Sequence, residues 1–203
     1  MLLPSGFTYI NDPRIILSLD YTTHHNFLGR PVRGYEAKVC ISTERVAKAL
    51  IAVQDDLDDT LQGYRLKIFD AYRPATAVMD FKQWAEDAQD QKMKSIFYPH
   101  LNKNELFDLG YLAEKSSHSR GSAVDLTLIS IDDQELNMGT IFDYFDETSY
   151  TDAMEISEAA KNNRLFLKEM MEKHGFVNYP LEWWHYTLKE ELFPDTYFDF
   201  PVK

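Results

Sequence analysis

Between residues 42 and 74 the hydrophobic period changes twice, and that change restricts the fold more than any other feature of the chain. Val46, Leu50, Val53, Leu57 and Leu61 recur at steps of four, three, four and four, the spacing of one helix face. Ser42 or Thr43 can cap the start of this helix, and Gly63 follows as a C-cap. Arg65-Leu66-Lys67-Ile68-Phe69-Asp70 then alternates as a strand does. Ala71-Tyr72-Arg73-Pro74 turns the chain into a second helical segment, roughly 76 to 96.

Farther along, residues 121 to 130 place Val124, Leu126 and Leu128 on one strand face and Ala123, Asp125 and Thr127 on the other. The apolar face goes to the core, so Asp125 points at whatever the opposite face lines. A third helix is expected over roughly 155 to 174, ending at His174-Gly175. After Pro180, Glu182 to Leu188 has the aromatic and β-branched bias of a strand. Residues 1 to 40 read as short strands and loops. The stretch 98 to 117 is long for a connection and reads as a functional loop. Strands interleaved with helices, without regular βα units or a Gly-rich nucleotide loop, predict an α+β fold. No Ser/Gly/Pro tether divides the chain, so residues 1–203 are expected to form a single domain.

With 21 Lys and Arg against 33 Asp and Glu, the formal charge is −12, which repels phosphate backbones and anionic lipid. Neither nucleic acid nor membrane is an expected partner. Cys40 is the one cysteine, excludes an intrachain disulfide, and reads as a small buried residue. The N-terminus lacks a basic n-region, and no apolar run is long enough to span a bilayer, so the expected compartment is the cytoplasm.

Chemistry concentrates at three polar positions set among apolar ones: His118, Asp125 and His185. Two imidazoles and a carboxylate suit a catalytic Zn²⁺ that leaves its fourth position to water, and such a site brings the pKa of that water towards about 7. Glu182 lies three residues before His185 and could take the proton as general base. In a regular strand positions i and i+3 face opposite ways, so this role requires Glu182 to sit in a bend after Pro180. Arg73, at a strand exit, could meet an oxyanion. Taken singly these spacings are weak. Arg73 and Asp70 could form a plain surface ion pair. Asp55, Asp56, Asp58 and Asp59 read as a solvated helix face, His24, His25 and His100 as loop residues, and His174 as a helix C-terminus. Trp183 and Trp184 read as core.

Taken together the motifs carry a resemblance. Ser117-His118-Ser119-Arg120-Gly121-Ser122-Ala123-Val124-Asp125, followed by Glu182-Trp183-Trp184-His185, resembles the zinc signature of the D-alanyl-D-alanine dipeptidases, the type associated with vancomycin resistance. The likeness extends to Tyr21-Thr22-Thr23, Pro31 through Tyr35, Asp70 through Pro74, and Met138-Gly139-Thr140 with Phe142-Asp143, covering about Tyr21 to Leu188. It implies one zinc per chain held by His118, Asp125 and His185, Glu182 as base, and Arg73 stabilising the transition state. It further implies Tyr21 and Asp143 near the amine of a small dipeptide, and Ser116 and Tyr35 near its carboxylate. Asp146 competes with Asp143 for the amine. The implied fold is a small α+β domain whose antiparallel sheet bears the zinc, similar to D,D-carboxypeptidases and the hedgehog domain, and the family allows a homodimer. The implied reaction is hydrolysis of D-Ala-D-Ala by a metal-bound water. The alternatives are a zinc D,D-carboxypeptidase acting on peptidoglycan stems and a non-catalytic zinc-stabilised binding domain.

Overall fold

The computed structural model describes residues 2–60 and 63–203. Its elements in chain order are β1 (Phe7–Tyr9), β2 (Ile16–Leu17), β3 (Ile41–Thr43), α1 (Glu44–Asp59), β4 (Arg65–Asp70), α2 (Ala75–Glu86), α3 (Lys94–Phe97), β5 (Ala123–Ile129), α4 (Glu158–Lys173), β6 (Phe176–Asn178) and β7 (His185–Leu188). Five strands form one sheet in the order β2-β4-β5-β7-β6, antiparallel except for the parallel β2–β4 edge. β1 and β3 pair separately. This is the α+β architecture expected from the interleaved periodicities.

The first helix carries the expected face: Val46, Leu50, Val53 and Leu57 are buried with Leu167 and Met171 of α4 against Leu66, Ile68, Val124, Leu126 and Leu128. Truncating Leu50 to Ala there would cost about 2–5 kcal/mol. Leu61, expected to continue the stripe, lies outside the described residues. The N-cap falls at one of the two expected residues, and the C-cap is corrected. Thr43 occupies the N-cap position, but its hydroxyl donates to the Gly121 carbonyl at 3.0 Å and makes no cap bond. The helix ends at Thr60, whose Oγ1 donates to the Leu57 carbonyl at 2.7 Å, so Gly63 lies beyond the cap.

The second helix is shorter than its apolar pattern predicts. Asp87 Oδ1 accepts the Gln89 amide at 3.0 Å, a local bond that competes with helix continuation, and only α3 follows before residue 98. In α4 the Ser157 hydroxyl caps the start by accepting from the Ala160 amide at 3.2 Å. The strand expected over 182–188 is confined to β7. Residues 182–184 are a turn in which the Glu182 amide donates to the Tyr179 carbonyl at 3.0 Å. β6 had no separate sequence signal.

One irregularity positions the site. Ile68 pairs with Leu126, so an unbroken antiparallel ladder would set Asp70 opposite Val124. A bulge between Ile68 and Asp70 sets it opposite Asp125 instead. Asp125 also pairs with His185 on its other side. Asp70, Asp125 and His185 therefore lie in a row across three adjacent strands, on the face opposite Val124 and Leu126.

Candidate metal centre and active site

The loop before β5 delivers His118. Ser116 Oγ accepts the His118 amide at 3.2 Å, starting a single 3₁₀ turn over Ser117–Arg120. The turn ends at Gly121, where φ is +69° and a Cβ would run into the Phe7 ring. His118 Nδ1 lies 2.6 Å from the Ala71 carbonyl, which only accepts, so Nδ1 carries the proton and Nε2 is the free donor atom. The other imidazole is oriented the opposite way round. His185 Nε2 lies 3.4 Å from Ser117 Oγ and 3.3 Å from Thr187 Oγ1, which leaves Nδ1 facing inward.

His118 Nε2, His185 Nδ1 and Asp125 Oδ1 form a nearly equilateral triangle, with separations of 3.1, 3.2 and 3.0 Å. A tetrahedral ion with bonds of about 2.0–2.1 Å has ligand–ligand edges of about 3.4 Å, so the triangle fits a small divalent cation. These three residues form the one group of metal-ligating side chains found together among the described residues.

Arg73 closes the other side. Its Nε donates to Asp70 Oδ2 at 2.9 Å and its Nη2 to Asp125 Oδ2 at 3.1 Å. Its guanidinium lies over the adjoining rings of Tyr21 and Phe81, at 5.3 and 5.2 Å from their centroids. The Arg73–Asp70 pair is buried, which corrects the surface reading. Glu182 lies in the bend that strand parity required, with Oε2 3.8 Å from His185 Nδ1. Tyr21 Oη donates to Asp143 Oδ2 at 2.9 Å. Asp143, at φ +60°, lines the same cavity of about 430 Å³ as Tyr21, Arg73, Glu182 and the three donors. Asp146 is engaged elsewhere: its Oδ1 accepts the Thr148 amide at 2.9 Å.

Ser116 lines the cavity, but Tyr35 does not. The Tyr35 hydroxyl donates to Asp70 Oδ1 at 2.8 Å, so it supports the carboxylate that holds Arg73.

The electrostatics follow from crowding. Asp70, Asp125, Asp143 and Glu182 are all buried around one guanidinium. Burial pushes Glu182 well above the usual carboxylate range, and the charges of Asp125 and Asp143 add to it against Arg73. Burial likewise raises Asp143, with Asp125 adding and Arg73 opposing. Burial also acts on Asp125, but the two imidazoles outweigh it and hold this carboxyl below its ordinary value. A chamber with four carboxylates and one guanidinium is built to receive further positive charge.

A family model described as D-ala-D-ala dipeptidase matches residues 11–203. The chain is 44% identical over 201 residues to a D-alanyl-D-alanine dipeptidase of Enterococcus faecium, covering 98% of each chain. The chain belongs to the D-Ala-D-Ala dipeptidase family. Another such dipeptidase, of Enterococcus faecalis, is 43% identical over 98% of this chain and 100% of its own. That of Escherichia coli is 30% identical over 88% and 81%. A solved zinc complex of the vancomycin-resistance D,D-pentapeptidase VanY gives TM-score 0.44 at 16% identity over 76% of each chain, too distant a likeness to carry an argument.

As a member of this dipeptidase family, the chain is a peptidase, and among the described residues no helix is long and apolar enough to cross a membrane. Three supporting roles had no sequence signal: those of Ser117 and Thr187 behind His185, and that of Tyr35 behind Asp70. Ser117 and Tyr35 act through partners 68 and 35 residues away, whereas Thr187 lies two residues from His185 on the same strand.

Proposed function

We propose that the chain hydrolyses the dipeptide D-Ala-D-Ala to two D-alanines, with one zinc held by His118 Nε2, His185 Nδ1 and Asp125 Oδ1. The observation that carries this is the donor triangle, with edges of 3.0–3.2 Å, beside a buried Glu182 in a chain of this family. Zinc bound there would supply a Lewis acid that polarises the scissile carbonyl and acidifies water.

Glu182 Oε2 takes a proton from the attacking water and returns it to the departing amine. Its raised proton affinity suits both halves of that transfer. Two of the five N–H donors of Arg73 are engaged with Asp70 and Asp125, which leaves others for the oxyanion. Such a donor is worth about 3–4 kcal/mol in the transition state. Asp143, oriented by the Tyr21 hydroxyl, receives the substrate ammonium. A blocked amine would leave this buried carboxylate without a partner, which favours a free dipeptide over a longer chain. With a divalent ion, an ammonium and Arg73 in place, the four carboxylates are balanced.

The test is D-alanine release from D-Ala-D-Ala, from its N-acyl derivative and from a stem pentapeptide, by zinc-loaded and chelated protein. Zinc-dependent cleavage of the free dipeptide alone is expected. Cleavage of the blocked substrates, or none at all with stoichiometric zinc, would overturn the reading.

A further inference from the structure

A guanidinium interrupts the apolar stripe of α4. Arg164 continues the core-facing row of Ala160, Leu167 and Met171, and it is only 1% exposed. No carboxylate is among its hydrogen-bond partners. Its Nε donates to the Met138 carbonyl at 2.7 Å, its Nη1 to the Tyr150 carbonyl at 2.6 Å and its Nη2 to the Thr148 carbonyl at 2.9 Å. Burial pushes its pKa down to about 10. Burying a charge without a counter-ion opposes folding. What the guanidinium supplies there is a rigid planar fork that fixes three carbonyls at once.

Those carbonyls bracket residues 138–150, the segment that carries Asp143. A chain of hydroxyls runs inside it. Trp183 Nε1 donates to Thr140 Oγ1 at 2.8 Å, and Ser149 Oγ donates to the Tyr144 carbonyl at 2.6 Å. An indole only donates and a carbonyl only accepts, so the 3.0 Å bond between the two hydroxyls runs from Thr140 Oγ1 to Ser149 Oγ. Ser149 is fully buried and lies between the two residues, Thr148 and Tyr150, whose carbonyls Arg164 holds. Tyr144 directly follows Asp143. A continuous path therefore leads from the guanidinium through Ser149 to the backbone at Asp143, where φ is +60°. A residue other than glycine keeps that conformation only when its surroundings enforce it. The Glu182 turn has an anchor of its own, because Asn178 Nδ2 donates to the Glu182 and His185 carbonyls, both at 3.1 Å.

Resting on the dipeptidase reading, with Asp143 as the seat of the substrate ammonium, we infer that Arg164 is a positioning residue for substrate recognition. Through Ser149 it holds the Asp143 carboxylate where the ammonium arrives. Arg164 does not line the cavity, so it acts on where Asp143 sits and not on the substrate itself.

The experiment measures KM and kcat for D-Ala-D-Ala, and the inhibition constant of N-propionyl-D-alanine, in zinc-loaded wild type, Arg164→Gln and Ser149→Ala. The inhibitor is the dipeptide with its ammonium replaced by hydrogen, so it offers Asp143 nothing to bind. Each variant should raise KM about tenfold and leave kcat within about threefold, the split expected when a charge-assisted contact made alike in ground and transition states is weakened. The inhibition constant should stay at its wild-type value. Circular dichroism and zinc content establish which variants are folded. If Arg164→Gln does not fold, Ser149→Ala decides, since it removes only the hydroxyl that reaches Tyr144. An unchanged KM in the folded variants would overturn the inference while leaving the dipeptidase reading intact. So would a parallel rise in KM and the inhibition constant, which marks a general deformation of the site, or a fall in kcat alone. Absence of hydrolysis by wild type would overturn the dipeptidase reading and this inference with it.

Discussion

Arg73 grips the oxygen of Asp125 that the imidazoles leave free. Oδ2 accepts from Arg73 Nη2 at 3.1 Å, while Oδ1 lies 3.0 Å from His185 Nδ1. One carboxylate thereby ties the donor triangle to the group assigned to the oxyanion. A shift in either is felt by the other, and substitutions at Arg73 report on both.

Replacing Arg73 with Ala leaves Asp70 and Asp125 buried without their shared cation. We expect a loss of about 3–5 kcal/mol of stability from a broken buried pair. Lys at this position keeps a charge but cannot bridge both carboxylates while presenting further donors. The Arg73→Lys variant should fold and lose kcat by about 10²–10³, with a smaller change in KM. A pure KM effect would remove Arg73 from transition-state stabilisation.

Glu182→Gln preserves shape and the turn bonds of the backbone while removing the proton acceptor. Zinc content and thermal midpoint should stay near wild type and kcat should fall by at least about 10², the usual contribution of a positioned base. Undiminished turnover would reassign the proton transfer to another group.

Metal affinity should depend on the hydroxyls behind His185 as well as on the ligands. Alanine at His118 or His185 should abolish stoichiometric zinc. Thr187→Val should weaken zinc by about 10- to 100-fold while the protein stays folded, because His185 loses a partner that fixes its ring orientation. Competition against a chromophoric chelator measures this directly. Equal affinity in Thr187→Val and wild type would contradict it.

Away from the site, Asp80 is fully buried and accepts from Arg30 Nη1 and Nη2 at 2.7 and 3.0 Å and from the Arg33 amide at 3.0 Å. Burial raises its proton affinity, but these donors outweigh that and hold the carboxyl below its ordinary value. A depressed folded-state pKa stabilises the protein above the unfolded value of about 3.9 and is lost as pH falls through the folded value. Asp80→Asn should therefore cost about 1–3 kcal/mol at pH 7. In denaturant titrations the gap from wild type should narrow below about pH 4. A gap that is constant with pH would mean packing alone is at stake.

The candidate site is legible in the sequence where polar residues interrupt apolar strand faces. His118, Asp125 and His185 stand out for that reason, and the parity of β7 pointed to a bend at Glu182. What escapes is whatever depends on the register between strands. Nothing in Arg65–Asp70 announces the bulge that sets Asp70 beside Asp125, and so nothing separates the buried Arg73–Asp70 pair from a surface one. The bond from Tyr35 to Asp70 escapes on the same ground, because its two ends lie 35 residues apart. The second helix is overextended because a side-chain bond at Asp87 competes with an apolar pattern that continues past it. The fold class needs only the order of periodicities, and that is local.

The row formed by Asp70, Asp125 and His185 also makes metal binding depend on the finished sheet. Asp125 and His185 are 60 residues apart, and His118 and His185 are 67 apart. The β4–β5 pair can form before β7 arrives, yet until β7 docks there is no third donor and no Glu182 beside it. Pairing β7 with β5 closes a loop of about the same length as the β4–β5 pairing does. The metal-binding triangle is thus complete only once β7 is paired with β5. An incompletely folded chain would have little grip on the ion, and the ion would in turn act as a latch on the finished structure.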